Sequence, residues 1–205
     1  MSFYEKRVLP KLINFACGLG PMMKQRAKIV PLAKGKVLEV GIGSGLNLDY
    51  YQADQVESLV GIDPSKETWS LNKAETENLG FDFQYIQTGA ENIPIDNQSI
   101  DSIVITYTLC TIPNANLAFE ELRRVLKPNG QILFVEHGKA PDATVLKWQN
   151  RINPIWKKIG GGYHLNRDIP EIFNYNGFQI NDLKTMYLPG WKPASFNFWG
   201  TAKFS

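Results

Sequence analysis

Cysteine and histidine are scarce in this 205-residue sequence, with two of each. Cys17 and Cys110 stand far apart, and neither His137 nor His164 joins them in a ligand-spaced cluster. No metal site and no disulfide framework is therefore expected, and a reducing cytoplasm is the simple inference. A dominant charge is missing too: 22 Lys and Arg against 20 Asp and Glu leave a formal net charge of +2. That balance gives no electrostatic reason to expect nucleic acid. No apolar run approaches the ~18–20 residues that span a bilayer, and Pro10, Lys11 and Asn14 interrupt what would otherwise resemble a secretory signal. There is no internal repeat and no low-complexity linker, so residues 1–205 read as one domain with 43% apolar and 20% charged residues.

Within residues 1–35, Phe3, Tyr4, Val8, Leu9, Leu12, Ile13 and Phe15 interleave with Glu5, Lys6, Arg7 and Lys11. The pattern reads as an amphipathic helical cap packed over the domain; the alternative is a helix that touches membrane or covers the substrate entrance. The run Val37-Leu38-Glu39-Val40-Gly41-Ile42-Gly43-Ser44-Gly45 is a strand breaking into a glycine turn. Alternate glycines let the backbone approach a ligand with no side chain between. A helix over 46–52 is expected to follow, aiming free N–H groups at the same ligand. Further strands are expected at 58–63, 81–87, 99–106 and 131–136, with helices over 66–79 and 114–126 between them. Residues 178–187 and 196–204 read as a hairpin joined through Pro189-Gly190-Trp191-Lys192-Pro193. The fold class is therefore α/β: a Rossmann-like, doubly wound, seven-stranded sheet, mostly parallel with one antiparallel strand. A helical insert over 139–176, rich in Trp148, Trp156 and Tyr163, is expected to build a substrate pocket.

In such sheets ligands bind beyond the carboxyl ends of the strands at the switch in strand order. Asp63, 22 residues after Gly41, suits bidentate bonds to two ribose hydroxyls, or a helix N-cap before Pro64, or both. The glycines run G-x-G-x-G with Leu46 at the sixth position, so the dinucleotide pattern G-x-G-x-x-G fails. S-adenosylmethionine (SAM) has no phosphate, and an acid at Glu39 suits its ammonium, directly or through water.

In order along the chain, Val37 to Gly45, Gly61-Ile62-Asp63, Gly89-Ala90-Glu91-Asn92-Ile93-Pro94, Asp101-Ser102-Ile103-Val104 and Arg124-Val125-Leu126-Lys127-Pro128-Asn129-Gly130 resemble the motifs of class I SAM-dependent methyltransferases. More narrowly, Thr108-Leu109-Cys110-Thr111-Ile112, Val135-Glu136-His137, Asn153-Pro154-Ile155-Trp156 and Leu165-Asn166-Arg167-Asp168 resemble the alkyl-thiol methyltransferases and their bacterial relatives. The resemblance implies SAM as cofactor, held by Glu39, Gly41, Gly43, Gly45, Asn47, Asp63, Pro64, Ala90, Glu91 and Thr106. It implies a small-molecule acceptor, most simply a thiol; aminophospholipid N-methylation, quinone-type C-methylation and a non-catalytic SAM-binding module are the alternatives. Two departures stand out. Gly89 replaces an Asp that many relatives direct at the adenine amino group, which leaves that contact to Gln87, Glu91 or backbone. The long hydrophobic N-terminal segment of the mammalian members does not occur here, so membrane integration is not implied, while peripheral contact stays open.

Methyl transfer from a sulfonium is an in-line displacement that needs alignment and a desolvated nucleophile rather than a metal. His137 is the candidate general base, or else a positioning group bonded to backbone or to Glu136. Tyr107 is an acceptor-facing donor or a wall. Tyr163 and His164 follow Gly160-Gly161-Gly162, either a lid hinge presenting both to the substrate or a plain turn between helices. Cys110 reads as a small apolar residue, and 166–168 as the capping start of a helix.

Overall fold

The computed structural model describes residues 3–72, 74 and 76–204. Seven strands form one sheet: β1 (Gly35–Val40), β2 (Val56–Ile62), β3 (Asp82–Ile86), β4 (Ile100–Thr106), β5 (Leu126–His137), β6 (Phe178–Tyr187) and β7 (Phe196–Phe204). Their order is β3-β2-β1-β4-β5-β7-β6, and only β7 runs against its neighbours. The order reverses between β1 and β4, which pair directly from Val37↔Ser102 to Val40↔Ile105. The turn after β1 and the loop after β4 therefore lie side by side, at the place where such sheets take ligands.

Both sheet faces are covered, so the central strands are apolar on both sides. Leu38, Val40, Ile103, Ile105 and Phe134 pack against α4 (Ala115–Val125) and α6 (Ile169–Tyr175), where Phe119 and Phe173 meet edge to face. Val37, Leu59, Val104 and Leu133 face the other way, toward Ile29 and Val30. Those two belong to an N-terminal cap made of a π-helical turn (Tyr4–Val8), α1 (Leu9–Cys17), α2 (Gly20–Ile29) and a 3-10 turn (Val30–Leu32). The cap's Asn14 Oδ1 accepts from Ser44 in the glycine turn at 2.5 Å, and Tyr4 donates to Ile159 O at 2.8 Å. It thus bridges the glycine turn and α5 (Ala143–Ile159). Among the described residues no helix is long and apolar enough to cross a membrane.

Three expected elements differ. The helix over 46–52 is only a 3-10 turn, Leu48–Tyr50. Its backbone bonds run Gly45 N→Ile42 O, Leu48 N→Gly45 O and Tyr50 N→Asn47 O, each three residues long. The side chains of Asn47 and Tyr51 both reach back to Glu39, which holds the segment down against β1 and leaves no room for a helix to wind. The helix over 66–79 shortens to α3 (Lys66–Trp69) and a later 3-10 turn (Thr76–Asn78); Lys73 and Glu75 lie outside the described residues. Asn72 Oδ1 accepts from Ala74 N, a local bond that competes with helix continuation. Strand β5 starts at Leu126 rather than 131, and the shift in its register with β4 between Ile100 and Ser102 absorbs the expected Lys-Pro-Asn-Gly turn.

Candidate functional site

The glycine turn is held by β2. Gly41 N and Ile42 N both donate to Ile62 O, at 2.8 and 3.1 Å. Gly41, Gly43 and Gly45 have φ of +73°, +57° and +77°, which a side chain would strain. A Cβ on Gly41 would also collide with Thr108, so the loop after β4 closes directly on the turn. Asp63, just past β2, accepts from Gly43 N at 3.0 Å and Ser65 N at 2.8 Å, one bond to each oxygen. The N-cap of α3 is Ser65, whose hydroxyl accepts from Thr68 N at 3.1 Å. Asp63 is therefore not the cap. Its carboxylate braces the glycine turn and retains lone pairs for further donors. Pro64 is exposed beside it, and its carbonyl accepts from Gln87 Nε2 at 3.3 Å. Ala90 is buried, while Glu91 accepts from Asn114 N at 3.2 Å and lies where a side chain on Gly89 would point.

Beyond the turn lies a buried polar centre. Glu39 accepts from Asn47 Nδ2 and from the Tyr51 hydroxyl, both at 2.8 Å, and burial pushes its carboxyl up to about 7. Asn47 Nδ2 also donates to Thr106 Oγ1 at 2.9 Å. Into this pair reaches Arg26 of α2, only 4% exposed, donating from Nη1 to Asn47 Oδ1 at 2.8 Å and to Thr106 Oγ1 at 2.5 Å. Sequence reasoning missed Arg26. The available signal was its position on the stripe Met22, Met23, Ile29 and Val30, where a cation interrupts the apolar face of the cap helix.

The third part of the site is the wall formed by the ends of β4 and β5. Tyr107, at φ +55°, donates its hydroxyl to Asn197 Oδ1 at 2.8 Å. His137 stacks on Tyr163, with ring centroids 4.4 Å apart and planes at 12°. Burial, with the nearby Arg167, lowers His137 to about 3. The expected bond between His137 and Glu136 is absent because neighbours in a strand project to opposite faces. Instead, Glu136 Oε1 accepts from Thr108 N at 2.7 Å and Leu109 N at 3.0 Å. Arg167 donates to the carbonyls of Leu109 and Ile112, and His164 N donates to Cys110 O at 2.9 Å. The segments 108–112, 135–137 and 165–168 are thus one device that fixes the loop after β4. Asp168 is the N-cap of α6, accepting from Glu171 N. The His164 ring is half-buried and held below its ordinary pKa by desolvation. The wall brings Tyr107, His137 and Tyr163 together; His164 contributes its backbone to holding the loop.

These residues fit SAM. The glycine cradle has no α-helix N-terminus behind it to take a pyrophosphate, which disfavours a nicotinamide dinucleotide. Glu39, buried beside Asn47 and Tyr51, is a carboxyl suited to a cationic group of the ligand.

Residues 38–134 match the family model described as "Methyltransferase domain". The chain is 34% identical over 135 residues to the rat (Rattus norvegicus) thiol S-methyltransferase TMT1B, covering 64% of this chain and 55% of that one. It is 28% identical over 139 residues to the ubiquinone/menaquinone biosynthesis C-methyltransferase UbiE of Campylobacter jejuni, covering 68% and 49%. The chain thus spans about half the length of these relatives. A SAM-dependent methyltransferase from Thermotoga maritima superposes with a TM-score of 0.66 at 16% identity, covering 98% of each chain. Residues 38–134 are thus similar to a methyltransferase domain, and the chain as a whole has the fold of the SAM-dependent methyltransferases it superposes on.

Proposed function

We propose that this protein transfers the methyl group of SAM to a small apolar thiol. The observation that carries this reading is the buried centre of Glu39, Asn47, Thr106 and Arg26, bordered by the aromatic wall of Tyr107, His137 and Tyr163. In this reading Gly41, Gly43 and Gly45 hold the methionine portion together with Glu39 and Asn47. Asp63 takes the ribose, Pro64, Ala90 and Glu91 border the adenine, and Thr106 lies toward the sulfonium. The cofactor supplies an already activated methyl group, so the protein's work is to align the acceptor and exclude water. The cap and the insert, residues 1–35 and 139–176, frame the acceptor pocket. Neutral His137 serves there as wall with Tyr163 rather than as a strong base, since a group near 3 holds few protons at neutral pH.

Peripheral membrane contact belongs to the same proposal, in a cytoplasmic protein. Phe3, Leu12 and Phe15 of the cap are exposed (75%, 52% and 71%), as are Trp148 and Ile155 of α5. Lys147, Arg151, Lys157 and Lys158 are exposed along α5, a basic flank suited to anionic headgroups. An apolar thiol dissolved in a bilayer would then be delivered close to the pocket.

The test is methyl transfer from labelled SAM to phenylmethanethiol, with aminophospholipid vesicles and a quinol as parallel acceptors. The proposal expects thiol-dependent turnover; transfer to vesicle lipid alone would replace it with the lipid reading. The relation to UbiE favours quinol C-methylation as the second reading, and turnover confined to the quinol would establish that instead. SAM binding without transfer to any of the three would favour a binding module.

A further inference from the structure

Arg26 is a buried cation with no anion bonded to it. It is 4% exposed, yet among the described residues no carboxylate lies within ion-pair distance of its guanidinium, and its Nε has no hydrogen-bond partner. Its Nη1 donates to neutral acceptors, Asn47 Oδ1 at 2.8 Å and Thr106 Oγ1 at 2.5 Å, and its Cζ lies 5.2 Å from the centre of the Tyr107 ring. Taking a guanidinium out of water without an anionic partner is unfavourable, so the arrangement suits a site that receives an anion. We propose that Arg26 is a cofactor-binding residue: it takes the carboxylate at the amino-acid end of SAM, and α2 lifts to let the cofactor in. This rests on the assignment of SAM to Glu39, Asn47 and Thr106 above.

Asn47 fixes where the two charges stand. Its amide donates from Nδ2 to Glu39 Oε1 at 2.8 Å and accepts on Oδ1 from Arg26, so one planar group carries a carboxyl at one end and a guanidinium at the other. Both come from the same side of the sheet. Glu39 pairs with Val104, Thr106 follows two residues later, and Val104 packs with Ile29 and Val30 at the end of α2. The amino-acid end of SAM carries the complementary pair, an ammonium and a carboxylate. The ammonium suits Glu39, and the carboxylate suits Arg26, whose planar fork with its unbonded Nε matches carboxylate oxygens.

Burial adds the second half of the proposal. Glu39, Asn47 and Thr106 are 1%, 0% and 3% exposed, so a ligand reaches them only when the chain that covers them moves. Arg26 is the cap residue bonded to Asn47 and Thr106. The neighbouring polar contacts of α2 with the sheet are weak ones, Gln25 Nε2 to Met186 Sδ at 3.7 Å and Lys28 Nζ over the Trp199 ring at 4.5 Å. Gly18-Leu19-Gly20 joins α2 to α1, and a Cβ on Gly20 would meet open space. Lifting α2 about its buried end at Ile29 gives up two bonds to neutral acceptors. Closing it over SAM restores the cover and supplies the guanidinium with an anion.

The experiment measures binding by titration calorimetry without acceptor, using SAM and decarboxylated SAM, which lacks only the carboxylate. Wild type should bind SAM roughly 10–100-fold more tightly, the range of charge-assisted bonds. Arg26→Gln keeps an amide donor but loses the charge. It should bind SAM more weakly by the same factor, bind decarboxylated SAM at least as well as wild type does, and so lose the discrimination. Arg26→Lys should recover part of it. Equal affinity of wild type for the two ligands overturns the assignment. So does an Arg26→Gln variant that keeps the preference for SAM while weakening both, the mark of a merely structural role. In stopped-flow mixing read by tryptophan fluorescence, the rate of SAM association should level off at high SAM as the lifting of α2 becomes limiting. A rate proportional to SAM throughout overturns that movement. If wild type binds neither ligand, the function proposed above fails and this inference with it.

Discussion

Asp63 makes the most direct link between a single side chain and ligand affinity. Its two oxygens each take one backbone N–H, from Gly43 and from Ser65, and the remaining lone pairs are free for ribose hydroxyls. Asp63→Ala should weaken SAM binding by about 1–3 kcal/mol through loss of charge-assisted bonds. Tryptophan fluorescence quenching measures this, and unchanged affinity would remove the ribose role. The buried carboxyls predict a pH signature in stability. Glu39 and Glu136 rise from 4.5 to about 7 on folding, so the folded state holds more protons than the unfolded between those values. Their contribution is therefore present below about pH 4.5 and lost as pH rises through about 7. His137 acts in the opposite sense, since its fall from 6.5 to about 3 removes stability as pH drops across that range. Glu136→Gln should gain stability relative to wild type between about pH 4.5 and 7, on the order of 2–3 kcal/mol. Urea unfolding at pH 5 and pH 8 reads the difference, and parallel wild-type and variant curves would contradict the raised carboxyl. At this scale the sequence singled out Glu39, the glycines and Asp63 because each stands in a fixed relation to a strand end. Arg26 was harder to see, because it comes from a helix 80 positions before Thr106.

The strands were legible because an apolar, β-branched run such as 99–106 has few alternatives to a covered parallel strand. Helices after β1 and β2 were not, since their polar residues are bound elsewhere. Asn47 and Tyr51 are drawn to Glu39, and Asn72 to Ala74 N, interactions invisible to periodicity. The cap is the element whose behaviour should respond most to ligand. It touches the glycine turn through Asn14 and Ser44 and extends Arg26 into the polar centre, so a bound cofactor adds to what the cap rests on. Hydrogen exchange in α1 and α2 should slow when SAM is added, and more than in β6 and β7. Equal protection in both regions would mean that the cap is indifferent to the cofactor.

For the molecule as a whole, the reversal of strand order between β1 and β4 decides where chemistry can happen. It sets the glycine turn, the loop after β4 and the end of β5 side by side, with the cap held to the turn through Asn14 and Ser44. The fold class followed from alternating strands and helices with a closing hairpin, whereas the acceptor depends on a pocket shape that no local pattern encodes. The similarity to thiol and to quinone methyltransferases spans about half the length of those relatives. Transfer of labelled methyl from SAM to phenylmethanethiol tests the central claim most directly. The account predicts label in the methyl thioether, saturable in thiol. Label found only in lipid or quinol, or SAM bound with no thioether formed, would contradict it.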